Sequence, residues 1–200
     1  MAMPPNVDRF LAGLRGTRHM VVAGGASLSP IILAFAGISP PWPPDIIKIS
    51  TVIALFLAMA NYHALMRGRS TSVRWRLNLS VIVVCLAFPI YLVVLKLFTF
   101  KIPTTGEVVI LGCGYTENAR LVATARHFDD GPGCPGSFER MLEGAQYNPY
   151  EIWGKLSLGI IPMIIVVLWL FVVAGIVIGM TSFAAPGPPK KVDSAKETPA

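Results

Sequence analysis

The sequence predicts an all-α membrane fold of four transmembrane helices, with a small α+β insertion between the third and the fourth. Of its 200 residues, 54% are hydrophobic and only 14% are charged, against about 25% charged in an ordinary soluble domain. The apolar residues also come in long runs, and a helix needs about 20 of them to cross the hydrocarbon layer. This composition excludes a charged disordered chain and argues against a soluble domain.

Four runs have the length and the apolar character of membrane spans. They cover residues 20–38, 46–66, 77–98 and 155–180. The first run has an alternative interpretation, because it follows a basic segment and contains an Ala-Phe-Ala motif that is similar to a signal-peptidase site. Outside the spans, residues 1–19 are expected to form an amphipathic helix on the membrane surface and residues 181–200 a disordered tail.

The basic residues predict how the chain is oriented. Three lie in the amino-terminal tail, four in the connection after the second run and three in the carboxy-terminal tail. Short loops rich in Lys and Arg stay in the cytoplasm, so both termini are predicted to be cytoplasmic, in a plasma or inner membrane. The basic connection is expected to attract anionic lipid headgroups, whereas ten residues between two helices do not form a nucleic-acid-binding face. Its arginines are Arg67, Arg69, Arg74 and Arg76.

The insertion, residues 99–154, is predicted to fold outside the membrane because it is too long for a structureless loop. Residues 107–111 are predicted to form a strand. Thr116 is predicted to cap a helix that ends near residue 126, and Ser137 is predicted to cap a second short helix that ends at Gly144. Asn148 followed by a proline is predicted to open the last helix, outside the bilayer.

Two of the three cysteines, Cys113 and Cys134, lie in this insertion. A disulfide between them is predicted, since it would stabilise a piece too small for a large core. Cys85 lies inside the third run and is interpreted as a packed apolar residue. A metal site with His127 is the weaker alternative, because the chain has no CxxC spacing.

Aromatic and small residues give the predicted anchors and contacts of the helices. Trp42, Tyr150 and Trp153 flank the apolar runs and are predicted to lie at the membrane interface. Small residues let helix backbones approach in lipid, either within one chain or between chains, so a homo- or hetero-oligomer is predicted. The predicted helix-packing residues are Gly24, Gly25, Ala54, Ala58, Gly175 and Gly179.

Two sets of polar residues are candidates for chemistry. Asn61 and His63 lie in the second span, where they either mark a proton or ion path or serve as a helix–helix hydrogen bond and a headgroup contact. His127, Asp129 and Asp130 could support acid–base catalysis, but aspartates before glycine are also typical of a turn. No Walker loop, GxSxG or HExxH motif occurs in the sequence, and no cofactor is predicted.

Two fragments of the insertion resemble a known pattern. They are TGEVVILGCGYTENAR, residues 105–120, and MLEGAQYNPYEIW, residues 141–153. They resemble segments of small, poorly characterised bacterial multi-pass membrane proteins, some of which accompany conflict or immunity modules. The resemblance implies a membrane-acting component that responds to a cytosolic partner, and it implies no catalytic residue.

Three functional hypotheses follow from these observations. The first is a non-catalytic, oligomerising membrane component: an effector, a pore former or an accessory subunit. The second is a small channel or transporter that uses Asn61 and His63. The third is a membrane-bound enzyme with an extracytoplasmic site at His127. The first is preferred, because catalysis or transport needs a recognisable site and no motif in the sequence supplies one.

Overall fold

The computed structural model describes residues 24–66, 71–125 and 139–183. This part of the chain is mostly helical, with one small antiparallel sheet. In chain order the elements are α1 Ser29–Phe35, α2 Ile46–Met66, α3 Thr71–Phe98, β1 Thr99–Lys101, β2 Val108–Ile110, α4 Glu117–Ala125, α5 Glu139–Gly144, α6 Pro149–Ile152 and α7 Lys155–Phe183.

Three helices are long and apolar enough to cross a membrane: Ile46–Leu65 within α2, Trp75–Phe98 within α3, and Lys155–Phe183, which is α7. They coincide with the second, third and fourth runs of the sequence. At 1.5 Å per residue, the 29 residues of α7 extend about 43 Å. That exceeds the hydrocarbon thickness of about 30 Å, so α7 also reaches into the headgroup regions.

The first apolar run is described only from Gly24 onwards. Its helix α1 has seven residues and is too short to span a bilayer alone. Residues 24–27 before it are also helical, and a turn at Leu28, whose N–H donates to the Gly25 carbonyl at 3.2 Å, separates them from α1. The described residues therefore give three spans, and the four-span topology stays a prediction.

Helix α7 forms the centre of the bundle. Of the most apolar 18 residues in each helix, 44% are buried in α7, 28% in α2 and 6% in α3. Both α2 and α3 pack mainly on α7, and they meet each other through a hydrogen bond between Arg76 and Asn61. Trp169 of α7 is fully buried and its ring meets that of Tyr91 on α3 at a centroid distance of 5.8 Å. The result is a row of three helices with α7 shared between two contacts.

The insertion forms a small module with its own core. Thr99 pairs with Ile110 and Lys101 with Val108 in an antiparallel hairpin. The strand predicted at residues 107–111 is therefore present as β2. Its partner β1 was not predicted from the sequence, because Thr99–Lys101 continues the apolar run of α3. The buried core of the module consists of Leu111, Ala119, Leu142, Ile152 and Trp153.

Two predicted helix caps are present in the module. Thr116 Oγ1 accepts a hydrogen bond from the Ala119 N–H at 3.3 Å at the start of α4. Asn148 accepts one from the Tyr150 N–H at 3.2 Å and caps α6. The residue predicted to cap the second short helix, Ser137, lies outside the described residues, and that helix ends at Gly144 as predicted.

The prediction that the last helix starts at Pro149 is wrong. Helix α6 stops after four residues, because Trp153 is extended and pairs with Tyr115 in an antiparallel bridge. The Thr116 N–H donates to the Ile152 carbonyl at 2.9 Å and the Gly154 N–H to the Gly114 carbonyl at 3.3 Å. This pairing fixes the module to the chain just before α7 begins.

The basic connection also differs from its prediction. Helix α3 begins at Thr71, six residues before the predicted span, so Arg74 and Arg76 lie on a helix and not in a loop. The helix extends because Thr71–Arg76 contains neither Gly nor Pro to end it. Arg67 and Arg69 lie outside the described residues, as do the predicted amphipathic segment and the carboxy-terminal tail.

Candidate functional site

A cluster of polar side chains joins the three long helices at the end that carries Arg76. It consists of Asn61 on α2, Arg76 on α3, and Thr181 and Ser182 on α7; we call it the polar clamp. Asn61 is only 8% exposed, and Thr181 and Ser182 are also buried. Asn61 and Arg76 are 15 positions apart on consecutive helices, whereas Thr181 lies 120 positions after Asn61, so the packing of α2 and α3 on α7 is what completes the cluster.

The hydrogen bonds of the polar clamp satisfy Asn61 on both sides. Its Nδ2 donates to Thr181 Oγ1 at 2.7 Å and to Ser182 Oγ at 3.2 Å. Its Oδ1 accepts from Arg76 Nη1 at 2.9 Å. The Thr181 hydroxyl in turn donates to the Val177 carbonyl at 2.7 Å. An amide that uses both donors and its acceptor in this way holds three helices in register.

This arrangement bears on the two interpretations of Asn61 and His63. Asn61 makes the interhelical hydrogen bonds just described. His63 is exposed two residues further along α2 and is not part of the clamp. The structure therefore does not bring these two residues together, and a shared proton path through both would need groups other than those of the polar clamp.

The glycines of α7 face α3 at close range. A Cβ placed on Gly175 would lie 2.6 Å from Val84 Cγ2, and one on Gly179 would lie 3.1 Å from Ser80 Oγ. These two glycines therefore pack helices within this chain. On α2, Ala54 and Ala58 are fully buried in the same core.

Gly24 and Gly25 differ from the glycines of α7. Among the residues that the structure describes, nothing lies within 4 Å of a Cβ placed on either one. The close helix contact predicted there is therefore absent from the described part of the chain. The sequence signal was a cluster of small residues, which shows where an approach is sterically allowed but not whether a helix uses it.

One of the three predicted aromatic anchors is wrong. Trp153 is only 3% exposed and belongs to the core of the module. A Cβ on Gly112 would lie 2.5 Å from its Cβ, so the Gly112 backbone packs directly against this residue. Trp42 and Tyr150 are exposed by 49% and 65%, and their place at the interface stays a prediction. Sequence reasoning missed Gly112, whose neighbours give no helix or turn signal.

Some of the remaining predicted residues lie in the described part of the chain, and the others lie outside it. Cys85 is free and exposed on α3. Cys113 is half-buried in the module. Cys134, His127, Asp129 and Asp130 lie outside the described residues. Within residues 24–66, 71–125 and 139–183, no group of three His, Cys, Asp or Glu side chains is placed to hold a metal ion.

Comparisons with protein-family models, with curated proteins and with solved structures give no match to this chain. The likeness of residues 105–120 and 141–153 to bacterial multi-pass proteins therefore rests on those two fragments alone.

Proposed function

We propose that this chain is a non-catalytic, polytopic membrane protein that acts as one component of a larger assembly in the membrane. The observation that carries the proposal is the row-like arrangement of its three long helices. Helices α2 and α3 both pack mainly on α7, and they meet each other through the hydrogen bond from Arg76 to Asn61. A row of three helices encloses no aqueous path, so the described helices would need further ones, from this chain or from another, to build one.

The exposed surface of the bundle supports the same proposal. Helix α3 packs one face on α7, while apolar side chains on its other face, such as Val81, Ile82 and Leu86, stay exposed. The small-residue face of α7, formed by Gly175 and Gly179, already packs on α3 within the chain. Assembly with other chains would therefore use lipid-facing side chains of α3 or the module, rather than the glycine face.

The topology we propose places the polar clamp on the cytoplasmic side and the module outside. Arg76 belongs to the polar clamp, and in the sequence Arg67 and Arg69 come directly after α2 and Lys190 and Lys191 come after α7. The positive-inside rule then favours a cytoplasmic clamp in a bacterial plasma or inner membrane. With the first apolar run as a fourth span, both termini are cytoplasmic, and anionic headgroups are expected next to the arginines.

The proposed disulfide is part of this topology. Cys85 is free whereas Cys113 is not, and Cys134 is the one remaining cysteine in the chain. We infer that Cys113 pairs with Cys134 in an oxidising compartment outside the cytoplasm. Intact-mass measurement after alkylation, with and without a reductant, tests this pairing. One alkylated cysteine without reductant and three with it are expected; three in both would exclude the disulfide.

Crosslinking in native membranes tests the assembly itself. The protein should be crosslinked before extraction and then extracted with its lipids into polymer-bounded nanodiscs for native mass measurement. We expect species heavier than one 21.6 kDa chain, either as multiples of it or with another protein. A protein that is monomeric and alone in both measurements would overturn the proposal.

A channel or transporter is the second candidate, and the polar clamp is the observation that favours it, because polar groups in spans often mark ion paths. Flux measured in proteoliposomes separates the two functions. Flux that falls in Asn61→Ala and also in His63→Ala would support a path. Flux that is absent, or unchanged in both variants, would remove these residues from any transport mechanism.

A further inference from the structure

A groove runs over the outer face of the module, at the end of the bundle opposite the polar clamp. We call it the outer groove; its cavity measures about 520 Å³. Strand β2 lines it together with Trp42, Tyr150 and the first two turns of α7. All three residues of β2 contribute to the lining. Since successive side chains of a strand point to opposite faces, three consecutive lining residues place the edge of the strand at the groove.

The hydrogen bonds of the hairpin show which groups lie at this edge. The Leu111 N–H donates to the Phe98 carbonyl and the Ile102 N–H donates to the Glu107 carbonyl, both at 2.8 Å. Antiparallel pairs alternate between bonded and non-bonded, so Val109 is bonded to β1 whereas Val108 and Ile110 are not. Within the described part of the chain, the N–H and C=O groups of Val108 and Ile110 make no hydrogen bond.

A free strand edge is a template for another strand. Val108 and Ile110 offer two N–H and two C=O groups, which is the pattern that an extended peptide completes in β-augmentation. Leu158 and Pro162 of α7 also line the groove. Because Pro162 has no N–H, the Leu158 carbonyl lacks its helical i+4 donor and can accept a hydrogen bond from elsewhere.

The charge of the groove indicates which kind of peptide it would bind. Among the residues that line the outer groove, Lys155 is the one with a charge. It is exposed and is the first residue of α7, where the helix dipole also favours a negative group. The exposed side chains of Trp42 and Tyr150, which also line the groove, provide apolar contacts.

We propose that the outer groove binds an extended segment of a partner protein, which adds to β2 as a third strand and places an Asp or Glu side chain against Lys155. This inference rests on the proposed function as an assembly component and names its partner surface. A second copy of this chain fits less well. The edge of β2 lies inside a concavity, and the matching edge of another copy would be recessed in the same way.

A randomised heptapeptide library displayed on phage, selected on the protein in nanodiscs, tests the proposal. We expect enriched peptides with alternating β-branched or aromatic residues and an acidic residue at one position. Gly159→Leu should block them, because Gly159 lines the groove and has open space around its Cβ position. Gly144→Leu is the matched control: it also has open space but lies outside the groove.

Binding of a synthetic copy of the best peptide should weaken at least about tenfold in Gly159→Leu and stay unchanged in Gly144→Leu. Lys155→Gln should weaken it about three- to fivefold, and only while the peptide keeps its acidic residue. On binding, the amides of Val108 and Ile110 should become protected from hydrogen exchange. The Val109 amide, already paired with β1, should change little.

Three results would overturn the proposal. They are the absence of any enriched peptide that Gly159→Leu blocks, an acidic preference that survives Lys155→Gln, and a dimer of this chain that Gly159→Leu dissociates. The last result would assign the groove to a second copy. Heavier crosslinked species that persist in Gly159→Leu membranes would leave the assembly proposal standing while the groove proposal fails, so the two failures are distinguishable.

Discussion

Polar groups at the two ends of α7 differ in whether neighbouring parts of the protein satisfy their hydrogen bonds. At the Arg76 end, the amide of Asn61 is hydrogen-bonded on both sides by neighbouring helices. At the module end, Val108 and Ile110 keep backbone groups without partners among the described residues, beside the exposed Lys155. Polar groups within the apolar slab must be satisfied by the protein itself, whereas water or a partner satisfies those at its surface.

The glycines of α7 show the same difference. Gly175 touches Val84 of α3, and Gly159 lies in open space at the outer groove. One helix therefore uses the same residue type for a closed contact at one end and for an open surface at the other. Matched substitutions along α7 separate the closed region from the open one.

Gly175→Leu and Gly159→Leu make the sharpest pair, and the first has the largest expected effect. At Gly175 even the Cβ would lie 2.6 Å from Val84 Cγ2, so a leucine must push α3 away from α7. We expect a loss of about 3 kcal/mol in the free energy of unfolding, at the upper end for overpacked contacts. Gly159→Leu should change it by less than about 0.5 kcal/mol. Unfolding in lipid–detergent mixtures measures both, and equal losses would contradict the contrast.

A smaller effect is expected inside the module, from Gly112→Ala. Its Cβ would meet Cβ and Cγ of Trp153 at 2.5 and 2.7 Å, and the backbone of Trp153 is held by its bridge to Tyr115. We expect a loss of about 2 kcal/mol, because the backbone itself must move. Limited proteolysis of the module would report the loss as faster cleavage. Gly144→Ala, with open space at its Cβ, serves as control; cleavage as fast as in Gly112→Ala would refute the explanation.

Much of the bundle could be predicted from the sequence, because the thickness of the bilayer sets the length of a spanning helix at about 20 apolar residues, whatever contacts the helix makes. The close helix contact at Gly175 and Gly179 was also predictable, because helices in lipid approach each other closely where their residues are small. Their partner was not predictable: Ser80 and Val84 face the glycines because α3 packs on α7, and nothing local to either helix specifies this.

The module shows where local signals fail. The caps at Thr116 and Asn148 were predictable, since their hydrogen bonds stay within three residues. Trp153 was misassigned to the interface, because a tryptophan before an apolar run is typical of an aromatic belt. Its actual position depends on a bridge to Tyr115, 38 positions earlier in the chain. Likewise, the open edge of β2 follows from the register of the hairpin and not from residue types.

The polar clamp gives the next prediction. Asn61→Ala removes the partner of Arg76 Nη1 and the donor to Thr181 and Ser182. Hydrogen bonds between membrane helices contribute about 0.6 to 1.7 kcal/mol, so a loss of about 1 to 1.5 kcal/mol is expected. His63→Ala, on the exposed side of the same helix, should cost less than about 0.5 kcal/mol. Thermal unfolding in nanodiscs measures both; an equal loss in the two variants would mean that the clamp contributes nothing specific.

The smallest expected effect concerns the open edge of β2 and needs no substitution. Val109 is paired with β1, whereas the N–H groups of Val108 and Ile110 point away from β1, on the edge that we propose lies at the outer groove. In the free protein, the amides of Val108 and Ile110 should exchange with solvent at least about tenfold faster than the Val109 amide, because only the latter must break a hydrogen bond first. Exchange measured residue by residue in nanodiscs tests this. Equal protection of all three would show that something already covers the edge, and the contrast between the two ends of α7 would disappear.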